Sequence, residues 1–370
     1  MRRLTFGKKV LILIILFVLV GIIPGLVISY ESLNKSEEAL EKISFEQLRS
    51  IRDIKKSQVM DYLESLQKQL RVTQNNPFVL EALIAFNRAF EDGGDKVLTA
   101  SWNRVADRYD DALKKIYSIN GWYDLFLIHT DGDIVYTTTR ESDLGMIIPE
   151  SNLRDSAIGI AFDKIMRSQT DQIAIADFKP YPPSNNEPAA FIMAKLYQKG
   201  KMEGIIALQF PIGQLNKIMQ LRTGMGETGE TYLVGEDMLM RSDSFLDPKN
   251  HSVKASFANP VLGKVDTEGT REALMGKTDA KVILDYNGNE VLSAYTPLQL
   301  GDLNMALIAE IDMAEVDIPV DQLASAIYLI AFIILVVVIL VVIMVIVFSQ
   351  KEVSYLSGIV THLPSSADQL

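Results

Sequence analysis

Six side chains in the middle of this chain are of the types that a small-molecule site uses. Tyr123, Tyr136 and Thr138 come from one stretch of alternating residues, and Asp177, Tyr181 and Phe191 from a second. Phenols, a hydroxyl and a carboxylate among aromatic rings give an apolar wall a few polar anchors, the make-up of a ligand pocket. The same spacing fits tyrosines packed in a core with a wetted hydroxyl, and the residues alone leave both readings open. Other chemistry finds less support. His129 and His251 have no helical or hairpin spacing to one another, and no G-x-S-x-G elbow accompanies them. Asp131 and Asp133 flank Gly132, but a calcium loop needs further spaced oxygens and a distal Glu, and a hairpin turn accounts for DGD. No catalytic residue, metal ligand or cofactor is expected.

Gly224, Gly226 and Gly229 match the G-x-G-x-x-G spacing of a nucleotide loop. That loop needs a strand before it and a helix after it. Here an apparent helix, Ile212–Leu221, precedes it and a strand, Thr231–Val234, follows. Glu227 and Glu230 also put negative charge where a phosphate would lie. The glycines are expected to form a linker between two modules.

The elements that position these residues change period along the chain. From residue 31, Leu33, Leu40, Ile43, Ile51, Ile54, Leu63, Leu66 and Leu70 mark one apolar face of a long helix, which Asn75, Asn76 and Pro77 stop. Helical patterns over Phe78–Phe90 and Lys96–Ile119 follow. Then WYDLFLIHT, DGD and IVYTTT read as a hairpin, with further strands at Ile173–Phe178, Ala189–Tyr197 and Met202–Phe210. The plan repeats. ETYLVG, ED and MLMRSD read as a second hairpin, and KVILDY, NGN and EVLSAYTPL as a third, with Asn287-Gly288 signalling a type I′ turn. MALIAEI is the last strand. The stretch NNEPAAFIMAKLYQKGKMEGIIALQFPIGQL parallels GNEVLSAYTPLQLGDLNMALIAEIDMAEV, which predicts two α+β modules of one kind, 121–221 and 222–322, each an antiparallel sheet.

Two uncharged apolar runs, 10–30 and 327–348, are long enough to span a bilayer. Arg2, Arg3, Lys8 and Lys9 place the end 1–9 in the cytoplasm, and Lys351 returns the tail 349–370 there. The segment between, with helical elements over 31–120, is then extracytoplasmic. It carries about −14 on a formal count, which repels nucleic acid and anionic lipid headgroups. With no cysteine in the 370 residues, the outer fold rests on its core alone. The long outer helix is suited to packing on its own domain and to pairing with the same helix of a second copy.

WYDLFLIHTDGDIVYTTTRESDLG, ADFKPYPPSNNEPAAFIMAKL and GETGETYLVGEDMLMRSDS, set between two apolar runs, resemble the sensor half of bacterial methyl-accepting chemotaxis receptors with a double Cache domain. Similar runs occur in some membrane-bound cyclases and histidine kinases. The resemblance implies an α+β fold of a long helix and two tandem PAS-like modules in a multi-pass protein of the bacterial inner membrane. It further implies a homodimer that binds a small ligand in the membrane-distal module and signals across the membrane to a partner. In many amino-acid-binding members an R-x-W-Y run holds the ligand carboxylate. TTTRESDLGMIIPESNLRDS lacks it, which leaves Arg140 as the candidate anion holder. The tail has no HAMP opening, so the chain reads as a sensor truncated before its transmitter. The alternative is a non-signalling scaffold or remnant that pairs with full-length receptors. No enzyme activity is expected.

Overall fold

The computed structural model describes residues 9–10, 12, 16, 18–169 and 172–361. The expected cytoplasmic end 1–9 lies almost wholly outside these residues, as does 362–370 of the tail, and the first apolar run is described in part. The chain forms two compact units, one being Ser44–Glu315 and the other the ends up to Ile43 and from Val316.

A π-helical turn, Val18–Ile22, leads into α1, Ile23–Gln74. Helix α2, Pro77–Asp92, starts where Pro77 supplies a preset φ and the Asn76 side chain accepts from Phe78 N at 3.0 Å. Helix α3, Ala100–Asn120, is capped by Thr99 and ends at Gly121 in the left-handed region, φ 68°. Then come β1 (Asp124–Ile128), β2 (Ile134–Thr137), α4 (Ala157–Arg167), β3 (Ile173–Tyr181), β4 (Glu187–Gln198), β5 (Lys201–Phe210) and α5 (Ile212–Met219). The second module has β6 (Glu230–Gly235), the short helices α6 (Pro248–His251), α7 (Val253–Ala258) and α8 (Glu268–Leu274), then β7 (Asp279–Leu284), β8 (Glu290–Leu300) and β9 (Leu303–Asp312). Helix α9 is Met313–Thr361. Among the described residues one helical segment, Met313–Phe348, is long and apolar enough to cross a membrane, judged by length and composition.

Both sheets are antiparallel, β2-β1-β5-β4-β3 and β6-β9-β8-β7. Side chains alternate between faces, and this alternation sorts the core. Leu125, Leu127, Ile192, Ile206 and Leu208 of the first sheet, with Leu233, Met305 and Leu307 of the second, join one cluster with Val59, Leu63, Leu66 and Leu70 of α1. Each such buried Leu or Ile contributes roughly 2 kcal/mol of transfer free energy. The opposite face of the first sheet, with Phe126, Phe191 and Met193, is covered by α4 through Ala161, Phe162 and Ile165. The opposite face of the second holds Tyr232, Tyr295 and Ile308 with Val253 and Ala273.

Three local expectations are corrected. The buried face of α1 runs through Leu48, Arg52, Lys55 and Val59, whereas Ile43 and Ile54 are exposed. The two basic side chains turn inward because carbonyl oxygens await them: Lys55 Nζ donates to Leu221 O at 2.8 Å and to Ile218 O, and Arg52 Nη1 to Asp279 O at 3.2 Å. The turn at Asn287-Gly288 is a three-residue loop rather than type I′. Gly288 alone has positive φ, Gly288 N bonds Asp285 O at 3.2 Å, and Asp285 Oδ1 accepts from Asn287 N and Asn289 N at 2.8 Å. MLMRSD is not a full strand. It makes the isolated bridges Val234↔Met240 and Leu239↔Lys264; Arg241 N still donates to Leu233 O at 2.7 Å, but Leu233 N turns to Ser242 Oγ at 2.9 Å, and the Arg241 side chain meets Asp177.

The glycine linker does hold an anion, one from its own chain. Glu227 N and Thr228 N donate to the Glu315 carboxylate at 2.8 and 2.7 Å, and a Cβ at Gly226 would sit 2.1 Å from Glu315 Oε1. The linker thereby clasps the first turn of α9.

Candidate ligand site

The structure divides the sequence-derived site residues among five places. Tyr136 and Arg140 belong to the α3 side of the sheet. The Tyr136 hydroxyl donates to Asp110 Oδ1 at 2.8 Å, and Arg140 Nη2 lies 3.0 Å from the same oxygen, its guanidinium over the Trp102 ring. The carboxylate that Arg140 grips is therefore internal. Tyr123 is exposed and donates to Glu141 Oε1 at 3.0 Å. Thr138 is buried and braces the turn after β2, its Oγ1 donating to Asp124 Oδ1 at 2.5 Å and accepting from Leu125 N at 3.1 Å. Asp177 receives Arg241 by two-pronged contacts, Nε at 2.9 Å and Nη2 at 2.7 Å, and so ties the two sheets together. Tyr181 and Phe191 remain together on the α4 side, their rings 5.1 Å apart in a T-shaped contact.

Around that pair lie three polar residues that pattern reading did not single out. Register places Asp124 opposite Gln209, and Gln209 opposite Phe191, so the three form one row across β1, β5 and β4. The Tyr181 hydroxyl donates to Asp143 Oδ2 at 2.6 Å. Asp124 is saturated: Leu125 N, Thr138 N and Thr139 N all donate to its Oδ1, and the Thr139 hydroxyl to its Oδ2. Asp143 and Gln209 are not. Asp143 Oδ1 and Gln209 Oε1 are buried and have no hydrogen-bond partner among the described residues. A buried acceptor without a donor costs about 1–3 kcal/mol. Burial pushes the Asp143 carboxyl up to about 7; the Tyr181 hydrogen bond pulls the other way, and the charges of Asp124 and Glu141 add to the rise. The arrangement can accept hydrogen bonds, and a cation at Asp143 would restore its ionised form. Signals for these residues exist in the sequence: Asp124 shares its strand parity with Phe126, and Gln209 is the single polar residue in IIALQF.

A second cluster gathers residues that the sequence assigned to a hairpin turn. His129, Asp131 and Asp133 at the first hairpin bring one ligand atom each to within 4.8 Å of one another. Two of the three are partly exposed and Asp131 fully so, as befits a turn.

The profile of the Cache domain family, dCache_1, matches residues 36–320. The sensory domain of the Campylobacter jejuni chemoreceptor Tlp3 (CcmL) superposes with a TM-score of 0.50 at 11% identity, over 76% of this chain and 98% of that one. The ligand-binding domain of the Pseudomonas fluorescens chemoreceptor CtaA, solved in complex with L-isoleucine, gives 0.45 at 12% identity over 76% and 96%. No curated protein sequence matches significantly. The long helix, the two antiparallel sheets and the extent of the profile match lead to one statement: the chain belongs to the Cache domain family.

Proposed function

We propose that this protein is a membrane receptor whose first sheet binds a small molecule bearing an ammonium group, outside the cytoplasm of a bacterial cell. The observation that carries this reading is the pair of unpartnered buried acceptors, Asp143 Oδ1 and Gln209 Oε1, beside the Tyr181–Phe191 aromatic corner. A ligand ammonium would satisfy both and ionise Asp143, while its apolar part would rest on the rings. Support for a sensor comes from the family. Support for a route outward comes from two links: the Asp177–Arg241 pair between the sheets, and the linker that clasps Glu315 at the start of α9. Binding that favours one arrangement of these links by about 1–3 kcal/mol would bias α9. The chain would serve chemotaxis or a related signalling pathway as a homodimer in the inner membrane, with modules near 121–221 and 222–322 and both apolar runs crossing the bilayer.

The test is thermal unfolding of the full chain in detergent against panels of amines, amino acids, organic acids and purines. A specific ligand raises the midpoint by mass action. The rise is expected with amines or amino acids and should shrink in Asp143→Asn. Stabilisation by organic acids alone would sink the ammonium reading. A reporter fused near residue 200 and active only in the cytoplasm would sink the topology.

A further inference from the structure

The second sheet repeats the first in register as well as in order. Glu230 opposes Glu310, and Glu310 opposes Ser293, so that β6, β9 and β8 carry a row in the place where β1, β5 and β4 carry Asp124, Gln209 and Phe191. Gln209 and Glu310 stand at the same distance before the next helix, at Ile212 and Met313. We infer that this second row is a separate binding site for a small primary ammonium, made by Glu310 and Ser293.

The argument starts from what is already satisfied. Glu230 uses both oxygens: Oε2 accepts from Ser244 Oγ at 2.8 Å, Phe245 N at 2.9 Å and Leu246 N at 3.2 Å, and Oε1 accepts from the Tyr286 hydroxyl. Glu310 faces Glu230 across the strand pair, and like charges directly opposite one another repel. Glu310 Oε1 accepts from the Tyr232 hydroxyl at 2.8 Å, but its Oε2 has no partner, and neither has Ser293 Oγ. Both residues are buried, at 3% and 0% exposure.

The cations nearby are committed elsewhere. Lys281, beside Ser293 on the same row, pairs with Glu268 and Glu272, and Arg241 with Asp177 and Asp237. His251 stacks on Tyr286 and points Nδ1 at Asp247. The row thus has negative charge and free acceptors, and its one cation, Lys281, is paired with Glu268 and Glu272. Two free acceptor atoms are too few for calcium or magnesium, which take six or more oxygens. They suit an ammonium, whose remaining charge the Tyr232 and Tyr286 rings can face. Ser293 stands where the first sheet has Phe191, so the second row has a small side chain where the first is filled by a ring. Tyr286, partly exposed over Glu230, marks the way in.

Burial, with Glu230 and Asp285 adding to it, holds the Glu310 carboxyl well above the usual range, against the pull of the Tyr232 hydroxyl. An ammonium favours the ionised carboxylate, so its binding and the loss of the Glu310 proton are linked. The inference does not need the first site to be occupied.

The experiment is calorimetric titration of the full chain in detergent with n-propylammonium chloride at pH 7, in two buffers of different ionisation enthalpy, with sodium and calcium chloride as controls. Wild type and Asp143→Asn should bind and release a proton. Glu310→Gln and Ser293→Phe should each lose at least about tenfold in affinity, the value of a charge-assisted hydrogen bond. Ser293→Phe installs the residue of the other sheet and reports even if Glu310→Gln fails to fold. Binding lost in Asp143→Asn but kept in Ser293→Phe would overturn the proposal by assigning the amine to the first sheet. No proton release, no binding at all, or the same response to sodium or calcium would overturn it as well.

Discussion

The first sheet turns an aromatic and aliphatic surface toward α4, and its one weakly satisfied acid, Asp143, comes from a loop. The second sheet carries its weakly satisfied acid, Glu310, within a central strand, facing a second glutamate. Backbone register is shared between them, while the chemistry at the shared positions is not. A repeat of this kind fixes where a polar group can be held between strand end and capping loop. It leaves open whether the group there is an amide, an acid or a ring. The edges differ too. In the first sheet β2 pairs as a strand. In the second, the corresponding segment forms only isolated bridges, Leu233 N bonding Ser242 Oγ in place of a carbonyl, while the Arg241 side chain reaches Asp177 and Gly235 makes room, since a Cβ there would lie 2.2 Å from the guanidinium carbon.

The largest expected effect tests the acid of the first sheet. The Asp143 carboxyl is raised in the folded protein to about 7, so the folded state holds its proton more tightly than the unfolded one. The resulting stability is present below the unfolded value near 4 and is lost as pH rises through about 7. The stability of wild type relative to Asp143→Asn should therefore fall by roughly 4 kcal/mol between pH 4 and pH 8, at about 1.4 kcal/mol per pH unit. Urea unfolding at both pH values reads it. A constant difference would mean that Asp143 is ionised and paired throughout. Glu310→Gln should show the same sign against wild type, since Glu310 is raised as well.

Next comes the tie between the sheets. Asp177→Ala leaves Arg241, 3% exposed at its side chain, with Asp237 alone. Removing one partner of a buried pair costs about 3 kcal/mol. The double variant Asp177→Ala/Arg241→Met should recover part of that, because no buried charge is then stranded. A double variant no more stable than the single would show that the tie matters by shape rather than by charge. Third is the linker. Gly226, at φ 68°, sits against Glu315, so Gly226→Ala adds left-handed strain and displaces the carboxylate, roughly 2 kcal/mol in all. If the clasp couples the sheets to α9, the same variant should also reduce any ligand-dependent change in α9, read by a spin label near Val316.

Much of this was readable from residue patterns, and the failures have identifiable causes. The long helix, its stop before Pro77 and the strands of the two sheets follow from period and turn chemistry. Helix α4 has apolar residues at Ala157, Ile158, Ala161, Phe162 and Ile165, a helical spacing interrupted by Gly159. That glycine is there because a Cβ would lie 2.2 Å from Arg154 O. The candidate site residues were harder. Tyr136 and Tyr181 look alike in sequence, but an irregularity in the β1–β2 register between Leu127 and Ile128 accompanies the placing of Tyr136 on the α3 side. Asp177 has the polarity of a ligand holder and is used to anchor an arginine from 64 residues away, a pairing that no local pattern reveals. Gln209 and Glu310 were visible as single polar residues in apolar strands, and the alignment of the two halves places them at one position.

The smallest effect concerns the hairpins that open the comparison. Three loops share one geometry: His129 N to Asp133 O at 2.8 Å, Gly235 N to Leu239 O at 2.9 Å, and Asp285 N to Asn289 O at 2.9 Å. In each, the residue before the closing one is left-handed. It is Gly132 and Gly288 in two of them, but Met238, at φ 64°, in the third. A non-glycine residue pays about 1 kcal/mol there. Met238 is also half-buried, so its side chain returns some of that cost in contacts. Met238→Gly should then stabilise the protein by only about 0.5 kcal/mol, while Gly288→Ala, whose Cβ would meet nothing within 4 Å, should cost about 1 kcal/mol from backbone strain alone. Urea midpoints for the two variants measure the difference. If Met238→Gly destabilises, the methionine is held for its packing, and the ED-M loop is shaped by what lies beneath it rather than by the turn. That outcome would fit a second sheet whose edge is bent to deliver Arg241.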